Sequence, residues 1–441
     1  MSANSSRVEA QFVKVEPKRP GRRWAAWAMK GSLAVTDQAL MSGSNFLLSI
    51  LLARWLTAER YGAYALAFAI FLLFSAFHQA LLLEPVSVLG PSTYHHRQPQ
   101  YIRTVLNLQA VLSVATMAAL GGCALVAALT SHAELAEALA GLAIGGPFIL
   151  FFWFARGVCY VHLTPAPSAF AAGLYSLLLL GGATIVWKLK MLTPGTVFAL
   201  TGAAALIAAV VALSRLPIDW KQEAETFSLR SVWQEHWQYG RWALAALTVN
   251  WIPGNVFYPL TAGFLGMSQA GAFRALMNLT FPVTHSASAF SLLLQPHLAA
   301  VYNSGGRKAT LASVRNMTLL YGGGALVYGA LFIGGHGYLF RVLYGGKFMD
   351  SNYLIPLVMM GVVFQVSGYG PAVGLRAIQA PELVFRAYLT AAVVCLLAGL
   401  FLTWRFGVAG AVLTAALSPL AGLIAAGMLY LRRVRAEVAI V

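Results

Sequence analysis

Apolar residues in this chain neither alternate nor recur as a single helical stripe; they run on in long stretches broken by short charged or turn-rich intervals. A stretch of roughly 18 apolar residues can cross a bilayer as a helix that satisfies its own backbone groups. The breaks place helices near residues 30 to 55, 61 to 88, 101 to 130, 134 to 158, 165 to 187 and 194 to 214. A second set falls near 238 to 264, 268 to 302, 308 to 336, 349 to 379, 382 to 405 and 408 to 432. The predicted fold class is all-α, a polytopic membrane protein of about twelve spans.

Composition agrees with the pattern. Of 441 residues, 59% are hydrophobic and only 10% charged, with mean hydropathy +0.71, too little polar surface for a water-soluble globule. On this span pattern 22 of the 30 Lys and Arg fall on one side of the membrane, so both termini are expected in the cytoplasm. The net charge of +16 then reads as topology and attraction to anionic lipid head groups, and no nucleic-acid partner is expected. Cys123, Cys159 and Cys395 lie singly in apolar surroundings, which predicts neither a disulfide framework nor a metal site. The first 29 residues carry Arg7, Lys14, Lys18, Arg19, Arg22 and Arg23 without an apolar core, as a basic tail does and a removable signal peptide does not.

The chain echoes itself across half its length. Leu81 to Pro85 reads LLLEP and Leu292 to Pro296 reads LLLQP, while Gly62-Ala63-Tyr64 is matched by Gly271-Ala272-Phe273 at nearly the same offset. Both pairs bracket the second helix of a six-helix set. An even number of spans per set puts the copies in the same orientation, so the halves are expected to be parallel repeats about an axis along the membrane normal. The expected division is a tail over 1–29, a lobe over 30–214, a linker over 215–237, a second lobe over 238–433 and a tail over 434–441.

Four segments also resemble a known family. LLARWLTAERYGAYALAFAI from Leu51, AGAFRALMNL from Ala270, LYGGKF from Leu343 and FGVAGAVLTAALSPL from Phe406 stand in the order and spacing of the polysaccharide flippases of the multidrug/oligosaccharidyl-lipid/polysaccharide exporter superfamily. The resemblance spans nearly the whole chain. It implies a V-shaped, two-lobe transporter in the bacterial cytoplasmic membrane. The implied cargo is a polyprenyl-diphosphate-linked oligosaccharide, moved for surface polysaccharide biosynthesis, with membrane lipids and a polysaccharide polymerase as working partners. Such a lipid cannot flip alone, because its diphosphate and hydroxyls would have to cross hydrocarbon. A wet, cationic cavity between the lobes would serve it, the lipid tail staying in the bilayer.

Individual residues carry candidate roles. Arg274, Asn278 and His285, with Ser288, are spaced to line one side of the eighth helix and so the cavity. Arg274 is a candidate for bidentate diphosphate contact or, alternatively, for snorkelling to head groups; His285 also suits a packing role between helices. Asp37, about seven residues into the first helix, could bind a coupling proton or sodium ion, pair with a cation of its lobe, or reach water. Glu84-Pro85 and Gln295-Pro296 occupy equivalent places and suit a gate or bending point, although interfacial solvation also accounts for Glu84. The seventh helix, with Asn250, Pro253, Gly254, Asn255 and Pro259, is the most interrupted and the expected hinge and substrate wall. No GxSxG, Walker or HExxH pattern appears, so neither an enzyme nor a cofactor is expected. Two other functions remain open: a multidrug exporter of the same superfamily, which would want an acidic cavity, and a membrane glycan polymerase or ligase, which would want a large outer loop.

Overall fold

The computed structural model describes residues 20–216 and 227–436, all as helices and short connections. Twelve rods of membrane-crossing length result. The first six are α1 (Pro20–Trp55), α2 (Ala58–Leu89), α3 (Gln98–Leu129), α4 (Ala133–Val161), α5 (Pro165–Lys188) and α6 (Pro194–Ser214). Then come α7 (Leu229–Asn255, continued by Phe257–Leu265) and α8 (Met267–Asn278 and the first limb of Phe281–Gly334). The last four are α9 (Ala309–Gly334), α10 (Met349–Ala377), α11 (381–406) and α12 (408–434).

Two of these divisions rest on geometry. The segment Phe281–Gly334 is helical throughout, yet the Ser291 and Tyr321 hydroxyls hydrogen-bond at 3.0 Å and the Tyr328 hydroxyl donates to the Leu279 carbonyl at 2.8 Å. A straight helix would hold Ser291 and Tyr321 about 45 Å apart. The segment therefore folds back, with α8 and α9 as its antiparallel limbs. Between α11 and α12 the chain turns at Gly407, whose φ of 62° and ψ of −141° lie outside the range an L residue adopts readily. Beyond the turn Ser418 donates to the Ala391 carbonyl at 2.9 Å, tying the two limbs together.

Among the described residues, eight helices are long and apolar enough to cross a membrane, the α11–α12 pair counting as one. Those that fall short are α1, α7 and α8. Two expectations are corrected here. The tail placed over 1–29 ends sooner, since α1 already begins at Pro20. The linker placed over 215–237 is shorter, since α7 already begins at Leu229. The sequence LRSVWQEHWQYGRW mixes charge with tryptophan and so escapes a search for apolar runs, yet Val232, His236 and Gly240 are buried. Residues 1–19 of the expected basic tail, 217–226 of the linker and 437–441 lie outside the described residues.

Helices of each half pack mainly on one another: α4 on α3 and α6, and α1 on α5, in the first half; α8 and α9 on α10, and α10 on α11 and α12, in the second. The halves meet at the end of the bundle that carries the α1–α2 connection, hereafter the far end. There α2 and α8 cross through Gly62 and Gly271. A Cβ on Gly62 would strike the Met267 carbonyl, and one on Gly271 would sit 2.6 Å from the Ala58 carbonyl oxygen, so only glycine lets these backbones touch. The two glycines are the matching positions of the internal echo. Equivalent residues meeting face to face is what an axis along the membrane normal produces. From this crossing both helices run toward the opposite, terminal end, so Leu81–Pro85 and 292–296 lie about 30 Å away in the same direction by helical rise.

The crossing is zipped by polar bonds between the halves. The Asn278 amide donates to the Tyr61 hydroxyl at 2.8 Å and accepts from Ser49 at 3.1 Å. Lys347, in the loop before α10, donates to the Arg54 and Leu56 carbonyls at 2.8 and 2.5 Å, capping the C-terminal end of α1 where the helix dipole favours a cation. Phe348 packs beside Tyr61 with centroids 6.0 Å apart, and the Tyr344 hydroxyl caps the Ala275 carbonyl at 2.7 Å. Three of the four family-like segments thus converge on one seam, and the fourth forms the Gly407 turn. At the terminal end the halves touch through α7 alone among these contacts. Pro85 has no N–H to return to Leu81, four residues back, and the Leu81 carbonyl accepts instead from His236 Nδ1 at 2.9 Å. A carbonyl only accepts, so Nδ1 carries the hydrogen, while Nε2 faces the Tyr101 hydroxyl at 2.8 Å.

A bulky side chain at the glycine crossing should hold the far end apart. In a variant labelled with spin probes at the exposed positions Glu59 and Gln269, Gly271→Val is expected to lengthen the distance distribution measured by double electron–electron resonance. An unchanged distribution would mean that the glycine contact does not set the closure.

Candidate functional site

A cavity of about 590 Å³ lies inside the second half, within the range of small-molecule sites. It is walled by α7, α8, α10, α11 and α12, which deliver Asn250, Asn255, Tyr258, Thr284, Ser288, Ser291, Gln295, Gln365, Tyr369, Arg376 and Tyr388. Three of the walls are broken helices. The rod α7 is interrupted at Val256 just after Pro253, α8 at Leu279–Thr280 before Pro282, and α10 at Gly368 before Pro371. Each proline withholds a backbone donor, and irregular backbone of this kind is tolerated at membrane depth where it borders a cavity.

The polar lining is amide, hydroxyl and guanidinium, and no carboxylate is among the described residues that line it. The Ser288 and Tyr369 hydroxyls are hydrogen-bonded at 3.2 Å, and Arg376 Nη2 donates to the Tyr388 hydroxyl at 3.3 Å. The cavity runs from Tyr258 and Phe273 near the far end to Arg376 and Tyr388 at the terminal ends of α10 and α11.

A second space, about 460 Å³, is an apolar groove between α1 and α8. Val35, Ala39, Gly43 and Phe46 form one side, and Phe281, Pro282, His285 and Phe290 the other. The helix α8 is the partition between the two spaces. Thr284, Ser288, Ser291 and Gln295, spaced three and four apart, face the cavity; Pro282, His285, Ser286 and Phe290 face the groove; Phe281 borders both.

The residues predicted to form one stripe on α8 therefore separate. The break at Leu279–Thr280 changes the helix phase, so Arg274 and Asn278 before it do not share a face with His285 after it. Asn278, 0% exposed, belongs to the seam. His285 packs against the Phe281 ring, centroids 5.8 Å apart, in the groove. Asn250 lines the cavity, as do Pro253 and Gln295; Pro85 is buried in α2, and Glu84 beside it is half-buried. Pro296 falls within helical α8, its side chain outside the described residues. Arg274 is only 6% exposed and does not snorkel. Its guanidinium is boxed by Phe68, Tyr258 and Phe281 at 5.5, 5.6 and 5.0 Å, Nη1 donates to Tyr258 at 3.2 Å, and Nε has no hydrogen-bond partner.

Asp37 is buried in the first half, 0% exposed, and does not reach water. Arg156 of α4 grips it bidentately, Nη2 to Oδ2 at 2.8 Å and Nε to Oδ1 at 3.2 Å. Tyr160 and Ser168 donate to Oδ2 at 2.5 and 2.9 Å. The carboxylate thus pins α1 to α4 and α5, and an added cation would have to displace a tethered one. Arg156, Arg376, Gln365, Tyr369 and Tyr388 were not singled out from the sequence. An arginine near the end of an apolar run looks like a topology signal, and only the packing of α10 against α8 reveals which ones turn inward.

No family model matches the chain, and no curated protein does. Solved structures share its fold. The inward-facing conformation of a multidrug resistance MATE family transporter of the MOP superfamily aligns over 91% of this chain and 98% of its own, with 14% identity and a TM-score of 0.74. The lipid II flippase MurJ, in an inward closed conformation, aligns over 90% and 86% with 10% identity and a TM-score of 0.69. An outward-facing conformation of a MATE family transporter aligns over 92% and 96% with 14% identity at 0.62.

Removing one partner of a buried ion pair strands the other charge at a cost of about 3–5 kcal/mol, whereas replacing both by apolar groups is often close to neutral. Asp37→Asn is accordingly expected to lower the melting temperature of the detergent-solubilised protein more than the double replacement Asp37→Leu with Arg156→Met. A double variant that melts below the single one would show that the pair does not act as a unit.

Proposed function

We propose that the chain is a flippase for a diphosphate-linked lipid oligosaccharide, moving the headgroup from the cytoplasmic to the outer leaflet of the bacterial cytoplasmic membrane for surface polysaccharide assembly. The observation that carries this reading is the partition made by α8: on one side a cavity whose described lining residues offer polar groups and an arginine but no carboxylate, on the other an apolar groove. A sugar needs hydroxyl and amide partners along its whole edge, and a prenyl chain needs none. A lipid-linked glycan presents both surfaces at once.

On the Lys/Arg bias the terminal end is cytoplasmic. The seam then seals the outer side, and the conformation is the one that receives substrate from within. The higher TM-score to an inward-facing neighbour than to an outward-facing one, 0.74 against 0.62, supports this orientation. Transfer requires the seam at Gly62 and Gly271 to part while the terminal end closes. The α7 rod must adapt, because His236 holds its first turns to α2 while Cys395 packs at the Ile252 carbonyl beyond the midpoint. Pro253 and the break at Val256 supply the bend. Asp37 contributes to ion coupling only through exchange with Arg156.

Export of cationic drugs is the second reading, favoured by the likeness to a multidrug transporter over nearly its full length. A lipophilic cation seeks a carboxylate in its site, and the lining residues offer an arginine in its place. The two readings separate in a strain lacking this chain. Polyprenyl-linked repeat units are expected to accumulate on the cytoplasmic face, with unchanged sensitivity to ethidium and similar cations. Drug sensitivity without accumulation would overturn the flippase reading.

A further inference from the structure

Among the described residues the cavity presents one guanidinium to a ligand, and it is not the buried one of Arg274. Arg376 stands one residue from the end of α10, half-buried, in the part of the cavity wall nearest the terminal end. Of its five N–H donors, Nη2 alone has a partner, the Tyr388 hydroxyl, and no carboxylate pairs with it among the described residues. Arg274, by contrast, is enclosed by three rings inside the closed seam and does not line the cavity.

Depth separates the two further. A lipid diphosphate keeps its phosphates at the level of the head groups until something carries them inward, because leaving water costs several kcal/mol per charge. The end of α10 lies at the terminal end of the bundle; the seam lies at the opposite end, about 40 Å away by helical rise. A guanidinium with unpaired N–H groups beside a phenol hydroxyl is donor chemistry matched to phosphate oxygens, which a guanidinium engages two at a time.

We propose that Arg376, oriented by Tyr388, is the entry clamp for the diphosphate, holding it at the terminal end of the cavity while the sugar occupies the rest of it. This rests on the flippase reading and narrows it. It moves the diphosphate contact of the entry state from the seam to the terminal end. Arg274 stays out of reach until the seam opens.

The test uses the purified full-length protein in nanodiscs, with farnesyl diphosphate as probe, farnesol as the uncharged control and tetraphenylphosphonium as the cationic control. Wild type is expected to bind farnesyl diphosphate at least about tenfold more tightly than farnesol. Arg376→Gln should abolish that preference while leaving farnesol binding unchanged, and Arg376→Lys should retain part of it, since it keeps the charge and loses the fork. Arg274→Gln should leave the preference intact. Melting curves of each variant show that the fold is kept, and the Lys variant gives a readout should Gln fail to fold. A preference lost in Arg274→Gln and kept in Arg376→Gln would overturn the clamp and leave the flippase reading standing. Wild type that binds tetraphenylphosphonium and does not distinguish farnesyl diphosphate from farnesol would overturn both.

Discussion

Close contact between two glycines at the far end is the constraint on which the rest of the molecule depends. Where Gly62 and Gly271 let α2 and α8 touch, the two halves are brought near enough for the side chains of Ser49, Tyr61 and Asn278 to hydrogen-bond across the gap and for Lys347 to reach the end of α1. Bonds between neutral groups contribute about 1 kcal/mol each, and the capped helix end about as much again. Such a seam is firm enough to populate one state and weak enough to be exchanged for another.

Arg274 tilts that balance. Contacts with aromatic rings return about 0.5–2 kcal/mol each, while burying a guanidinium costs several kcal/mol. With Nε unpaired and no carboxylate among its described neighbours, the charge rests on ring faces and the Tyr258 hydroxyl when the seam is shut. Opening would return water to it. The first half shows the opposite treatment of charge: Asp37 and Arg156 neutralise each other, with Tyr160 and Ser168 filling the remaining acceptor sites, which suits a lobe that moves as a rigid body.

Much of this architecture was legible in the sequence. Apolar run length locates most spans within a few residues, and the paired GAY and GAF segments signalled a repeat without showing that their glycines meet in space. The family-like segments were legible as a pattern and not as a purpose, since small and aromatic residues at fixed spacing say nothing of what they touch; three of them turn out to build the seam. The polar side was less readable. A helical stripe drawn through Arg274, Asn278 and His285 assumes one unbroken phase, and the break at Leu279–Thr280 removes it. The amphipathic start of α7 escaped because its buried face is His236, Gly240 and Val232 among tryptophans and charges. Arg376 resembled the many cations that mark the terminal end, and its inward role depends on the packing of helices distant in sequence.

The central claim is that the far-end seam must open in every transport cycle. Cysteines replacing the exposed residues Glu59 and Gln269, in a chain whose Cys123, Cys159 and Cys395 have been replaced by alanine, can be joined by a short bifunctional methanethiosulfonate and released by reductant. Export of lipid-linked repeat units by the joined protein, reconstituted in vesicles, is the measurement. On the proposed function, export is expected to stop on cross-linking and to return on reduction; export at an undiminished rate by fully cross-linked protein would contradict the need for the seam to open.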